Sequence, residues 1–247
     1  QTRRINEDVI KKYKIGLGKY GKFMFPVINA DGQLINVKAY DPRNPNTSYK
    51  WSYPFKGYEN GPIPINNFTQ SKLYFFGGEP DCYAAISMGI QGAVTFGSEA
   101  ITDVDKVFGQ DRARQIFQGK EIVICLDSDE PGVIAANKLA KSLYPYAKQI
   151  KIINLDISET NPNGLDPTLV KEVGEEDKKK VKRIEKDFTD FIRKNGFDKV
   201  AIELFDNLVE NTIVYTQNSD RIKKERYKVT LQESRYPRYF SSDGSKI

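Results

Sequence analysis

The sequence predicts an α/β protein, a Rossmann-like parallel sheet held between helices and preceded by a small antiparallel α+β subdomain. Three observations carry that expectation. From Lys72 onward, short apolar runs alternate with helical patterns, which calls for right-handed crossovers and a parallel sheet. Ahead of them, two strand-like runs meet at Asp31-Gly32, a strong hairpin signal. Hydrophobic residues make up 39% of the 247 positions and charged residues 29%, enough to bury one good core with an accessory subdomain.

In chain order, INEDVIKKYKIG opens as a helix with Asn6 as cap, Glu7 and Asp8 in its first turn and Gly16 past its end. KFMFPVIN (22–29) and QLINVKAYD (33–41) are the hairpin strands, and Pro26 places its strand at an edge or a bulge. Residues 42–67, rich in Asn, Pro, Tyr and Gly, read as loops. The alternating region then gives strands in 73–77, 93–96, 122–126 and 150–155, with helices over 79–89, 104–117 and 131–144. Residues 156–186 form a polar connection, DFTDFIRKNG and 199–211 read as helices, and the basic, aromatic tail pairs at an edge or begins another module.

Composition excludes several chemistries. The absence of histidine removes His-based acid/base catalysis and Ser-His triads, and the two cysteines, Cys82 and Cys125, lie in apolar segments. Chemistry must run on carboxylates and lysines. Lysine and arginine number 38 against 33 aspartates and glutamates, a mild basic excess that permits an anionic partner. Nothing approaches a membrane span, and QTRRINEDVI has no apolar signal core, so a cytoplasmic protein without membrane association is expected. The start at Gln1 reads as that of an excised fragment.

Two motifs compete for attention. GLGKYG (16–21) matches a dinucleotide fingerprint but has a helix before it and a Pro-containing strand after it, the reverse of what pyrophosphate binding needs. The other is LDSDEPG (126–132), two aspartates at the carboxyl end of a buried strand, where open parallel sheets bind ligands. Asp127 and Asp129, spaced by two on an extended chain, point to one side and can approach a single hard cation; the competing reading is a solvated loop with an N-cap aspartate. GGEPD (77–81) adds Glu79 and Asp81 at the same sheet edge, and KDFTD (186–190) adds Asp187 and Asp190. Carboxylates gathered this closely repel, and a divalent cation removes the penalty.

At these residues the chain resembles the TOPRIM domain of bacterial and phage-type DNA primases, the primase-helicase family. GGEPD resembles the family's E-G-x-x-D element, DSDEPG its D-x-D-x-x-G element and KDFTD its K-D-x-x-D-like element. FMFPVINADGQLINVKAYDPR resembles the primase subdomain that precedes TOPRIM, and YKW (49–51) its lysine-aromatic element. The resemblance spans roughly residues 8–200 and implies a primase-type subdomain over 1–67, a TOPRIM domain over 68–200, and a helix with a basic tail over 201–247.

What the resemblance implies is magnesium-dependent (or manganese-dependent) synthesis of RNA primers on single-stranded DNA, on a phage or mobile element. Ribonucleoside triphosphates would be the substrates and a replicative helicase module a partner. Asp127, Asp129, Asp81 and Asp187 would hold metal, with Glu79, Asp81, Asp127 and Asp129 catalytic. Lys38, Arg43, Lys50 and Trp51 would contact nucleic acid or nucleotide. One departure stands out: Gly77 replaces the family's glutamate, so Glu79, two residues on, is the expected substitute. The rival readings are a catalytically reduced module that binds nucleic acid or a helicase partner, and a metal-dependent nuclease. Neither a zinc ribbon nor a phosphate-binding G-x-x-x-x-G-K-[ST] loop occurs, so those modules are expected outside this chain.

Overall fold

The computed structural model describes residues 5–29, 31–41, 43, 51–52, 61–155 and 187–216. The chain divides into two compact units, Gln1–Val214 and Tyr215–Ile247, and both sheets belong to the first. The polar connection over 156–186 and the tail beyond Thr216 lie outside the described residues.

Helix α1 (Glu7–Lys12) starts as its sequence dictates, the Asn6 side chain accepting from the Val9 N–H at 2.9 Å. The antiparallel sheet follows, in order β1 (Gly16–Leu17), β2 (Phe23–Ile28), β3 (Leu34–Tyr40) and β4 (Trp51–Ser52). The β2–β3 turn uses Gly32 at a φ of 79°, the left-handed backbone that an Asp-Gly pair supplies. Part of GLGKYG is thus the short strand β1 and the rest a single 3-10 turn over Lys19–Gly21 leading into antiparallel β2, with no α-helix there to meet a phosphate. Strand β1 pairs only with Phe23 and Met24, so Pro26 lies beyond its reach, and the β2–β3 register shifts at Val27/Ile28.

The second sheet is parallel throughout, in the order β6 (Ala93–Val94), β5 (Lys72–Phe76), β7 (Glu121–Cys125), β8 (Gln149–Ile152). Alternation along β5 sends its side chains to two cores. On one face Phe75 meets Phe68, Phe96 and Phe117, with Phe108 against the same group, beneath α3 (Val104–Phe108) and α4 (Gln110–Phe117). On the other Phe76 meets Phe188 and Tyr74 meets Phe205, beneath α2 (Glu79–Ser87), α6 (Phe188–Asn195) and α7 (Lys199–Asn211). The single helix expected over 104–117 is broken by Gly109, whose φ of 78° no right-handed helix accommodates. Cys82 and Cys125 are free thiols buried in the core. Among the described residues no helix is long and apolar enough to cross a membrane.

Helix α2 also faces the antiparallel sheet. Tyr83 stacks on Phe25 with ring centroids 5.7 Å apart and planes 10° from parallel, in a small cluster with Val9 and Ile15. Beside this apolar contact, Lys38 of β3 reaches the first residue of α2. Its ammonium lies 2.7 and 2.8 Å from the two carboxylate oxygens of Glu79 and also donates to the carbonyl of Gly97 in the loop after β6. Both side chains are almost fully buried, at 5% and 1% exposure. Burial pushes the Glu79 carboxyl above its ordinary range while the Lys38 ammonium pulls it back.

A charge stranded by deletion of its buried partner is costly, whereas removal of both costs little. Lys38→Met is therefore expected to lose about 3–5 kcal/mol in urea unfolding, with most of that recovered in Lys38→Met/Glu79→Leu. A single variant as stable as the parent would show that the pair does not join the two sheets.

Candidate metal centre

Chain order and sheet order together locate the centre. From β5 the chain crosses outward to β6, then returns past β5 to lay down β7 on the other side, so the crossovers diverge between β5 and β7. Ligands of open parallel sheets bind at such a point, beyond the carboxyl ends of the strands. Gly77 follows β5 there, and Asp127 follows β7 one residue after Leu126.

Helix α5 (Glu130–Leu143) begins immediately afterwards, with Asp129 as its N-cap, accepting from the Gly132 N–H at 3.0 Å. Its first turn presses onto the strand end so closely that a Cβ at Gly132 would lie 2.1 Å from the Asp127 carbonyl oxygen. The glycine of D-x-D-x-x-G is needed here for that approach of backbone to backbone. Ser128 between the two aspartates is buried, its hydroxyl accepting from the Leu155 N–H at 3.2 Å and tying the end of β7 to the segment after β8.

A third carboxylate comes from the loop after β6. Thr95 exchanges two backbone hydrogen bonds with Ile63, at 2.9 and 2.8 Å. Gly97 donates to the Thr95 hydroxyl at 2.8 Å and gives its carbonyl to Lys38. Two residues further, Glu99 Oε1 accepts from the Asp127 N–H at 2.6 Å. Glu99, Asp127 and Asp129, all partly buried, bring one carboxylate oxygen each to within 4.8 Å of one another. The Glu99 carboxyl is pushed up to about 7, first by its removal from water and next by the Asp127 carboxylate beside it; the Asp127 N–H acts in the opposite direction.

The structure brings together only part of the set read from the sequence. Asp127 and Asp129 share the triad. Glu79, at the start of α2, has both oxygens on Lys38. Asp81 is buried, its Oδ1 accepting from the Thr189 N–H at 3.1 Å and from the Thr189 hydroxyl, which docks α6 against α2. Asp187 caps α6, accepting from the Asp190 N–H at 2.7 Å, and Asp190 pairs with Arg193. Lys38 is buried in its ion pair, whereas the Arg43 side chain is 58% exposed and pairs with Asp41 at 2.8 Å. Trp51 pairs through its backbone with Tyr40, and Lys50 lies outside the described residues. Glu99 is the residue that the sequence did not reveal, because GSEAITD carries no periodicity and β6 before it is only two residues long.

An α/β protein with a switch-point carboxylate triad and a separate antiparallel sheet is the class that fold and site define. No protein-family model and no curated protein sequence matches the chain. Its fold, however, is that of primase catalytic cores. It is similar to a DnaG catalytic core at a TM-score of 0.58 and 16% identity, over 86% of this chain and 71% of that one. The zinc-binding and RNA polymerase domains of Aquifex aeolicus primase match at 0.58 and 12% identity, over 94% of this chain and 59% of that one. A DnaG primase catalytic domain bound to single-stranded DNA matches at 0.54 and 14% identity, over 98% and 76%. The parallel sheet and the small antiparallel sheet ahead of it in the chain are the parts of this fold.

The donor set is consistent with a divalent metal site. Three hard carboxylate oxygens within 4.8 Å of one another suit a divalent cation, whose charge would offset the Asp127 carboxylate that adds to burial in raising Glu99.

Without metal, the burial of Glu99 beside the Asp127 carboxylate sets a pH dependence. Because Glu99 rises from 4.5 to about 7 on folding, the folded protein holds that proton more tightly. The resulting stabilisation is complete below about pH 4.5 and is lost as pH rises through about 7. In a chelating buffer, the stability of the parent relative to Glu99→Gln is expected to fall across that window; parallel pH profiles would contradict the environment assigned to Glu99.

Proposed function

We propose that this chain is the catalytic core of a DNA-primase-type nucleotidyltransferase, synthesising short RNA primers on single-stranded DNA. The observation that carries the reading is the Glu99–Asp127–Asp129 triad at the switch point of a primase-core fold. The reaction joins a primer 3′-hydroxyl to the α-phosphorus of an incoming ribonucleoside triphosphate and expels pyrophosphate. Bound magnesium or manganese would neutralise charge on the triphosphate, the greater part of what such transfers require.

The chain's own residues supply the rest. Asp127 and Asp129 hold the cation from the strand end and the helix cap, Glu99 completes the set from the third side, and Ser128 and Gly132 fix the backbone that carries the two aspartates. Arg43, exposed beside the antiparallel sheet, with Lys50 and Trp51 from the same region of the chain, is assigned to template phosphates and bases. Lys38 acts behind the site, on Glu79 and Gly97. The second reading is a nucleic-acid-binding module without catalysis, favoured by the glycine at position 77.

With a single-stranded template, ribonucleotides and magnesium, the chain is expected to make short RNAs, and Asp127→Asn or Asp129→Asn to reduce synthesis by roughly 10²-fold or more. Binding of template without synthesis by the parent would favour the second reading, and cleavage of the template would point to a nuclease.

A further inference from the structure

Position 77 sits at the end of β5 facing the triad, yet it carries no side chain. A Cβ built there would lie 2.7 Å from Glu99 Oε1 and 3.2 Å from Asp127 Oδ1. The backbone does not require glycine: among the described residues Gly77 is absent from those with a left-handed φ. The nearest atoms a side chain there would meet belong to the neighbouring carboxylates, first the flexible end of Glu99, which would have to swing aside. The space that a residue at the end of β5 would fill is occupied by a carboxylate from a different loop.

Glu79, the other carboxylate near β5, is committed elsewhere. Its two oxygens hold the Lys38 ammonium at 2.7 and 2.8 Å, and it is 1% exposed. It also packs against Gly97, where a Cβ would come within 2.7 Å of Glu79 Oε1 and where φ is 76°. Glu79 and Lys38 thereby shape the loop that delivers Glu99, two residues beyond the carbonyl that Lys38 holds.

We infer that Gly77 and Glu99 are the two halves of one exchange. The third metal-binding carboxylate of this site reaches it from the loop after β6 through the space that a side chain at the end of β5 would fill, and Gly77 leaves that room. Glu99 is then a metal ligand of this chain, with Lys38 and Glu79 as its positioning residues. The inference rests on the metal site proposed above and adds that its third ligand depends on the absence of a side chain at position 77.

An exchange predicts non-additivity, since each change alone spoils the site and the two together restore it. The full chain would be titrated with Mn²⁺, counting free ion by electron paramagnetic resonance, and melted with and without Mg²⁺. Glu99→Ala, and the closer mimic Glu99→Gln, are expected to weaken Mn²⁺ binding by about 10-fold or more, in the range reported for disturbed metal shells. Gly77→Glu alone is expected to melt below the parent in the absence of metal, because it forces a fourth carboxylate into filled space. Gly77→Glu/Glu99→Ala is expected to recover Mn²⁺ affinity to within about 3-fold of the parent and to melt above Gly77→Glu, a coupling that sites in contact show.

Parental affinity in both Glu99 variants, or a double variant as weak as Glu99→Ala, would overturn the exchange. Asp127→Asn/Asp129→Asn separates the two levels of the argument. Loss of Mn²⁺ binding in that variant but not in the Glu99 variants leaves the metal site standing and defeats the exchange; parental binding in all of them defeats the metal site itself.

Discussion

The buried ion pair between Lys38 and Glu79 is the constraint around which the rest is arranged. It crosses from the antiparallel sheet to the first turn of the helix that leaves the parallel sheet, and its ammonium also holds the Gly97 carbonyl. Three elements distant in the chain are thereby fixed at one point, and the nearby stacking of Phe25 on Tyr83 seals the same contact with apolar surface. A buried pair of this kind is seldom a gain in stability over an apolar contact of equal volume. What it provides is geometry: a charge has to meet its partner, so β3, α2 and the loop after β6 take one mutual position.

That position matters because the site is assembled from loops that share no local structure. Asp127 and Asp129 sit on a rigid strand-to-helix junction, held by the pressure of Gly132 on the backbone and by Ser128 bridging to Leu155. Glu99 arrives from a loop held by Thr95, by the Gly97 carbonyl on Lys38 and by the Asp127 N–H. Like charges brought this close would splay apart in water. They are kept together by hydrogen bonds within the cluster and by the fold behind it, and Glu99, drawn out of water and set beside the Asp127 carboxylate, has its carboxyl pushed up to about 7.

Much of this was legible in the sequence, for physical reasons that also mark where legibility stops. Strands and helices alternate with strong periodicity, and aspartates at a strand end before Pro-Gly leave few structural options, so the sheet and two thirds of the triad were readable. Glu79 follows a strand end as Asp127 does, but its carboxylate is taken by Lys38 of β3, a long-range pairing that leaves no mark in the local sequence. Asp187 and Asp190 form a pattern whose local use is helix initiation, a cap followed by an i, i+3 ion pair. Gly77 was legible as a departure, but its meaning was not, since the residue filling its space lies 22 positions further on in a loop without periodicity. Contacts between loops are set by tertiary packing and leave no local pattern.

The central claim is that Glu99, Asp127 and Asp129 together hold one divalent ion. Anomalous diffraction from crystals of this chain soaked in manganese tests it most directly. The account predicts an anomalous peak within about 2.0–2.6 Å of an oxygen from each of the three carboxylates, the range of carboxylate bonds to divalent ions of this kind. A peak bound by Asp127 and Asp129 that leaves Glu99 outside the coordination shell, or one seated by Glu79, Asp81 or Asp187, would contradict it.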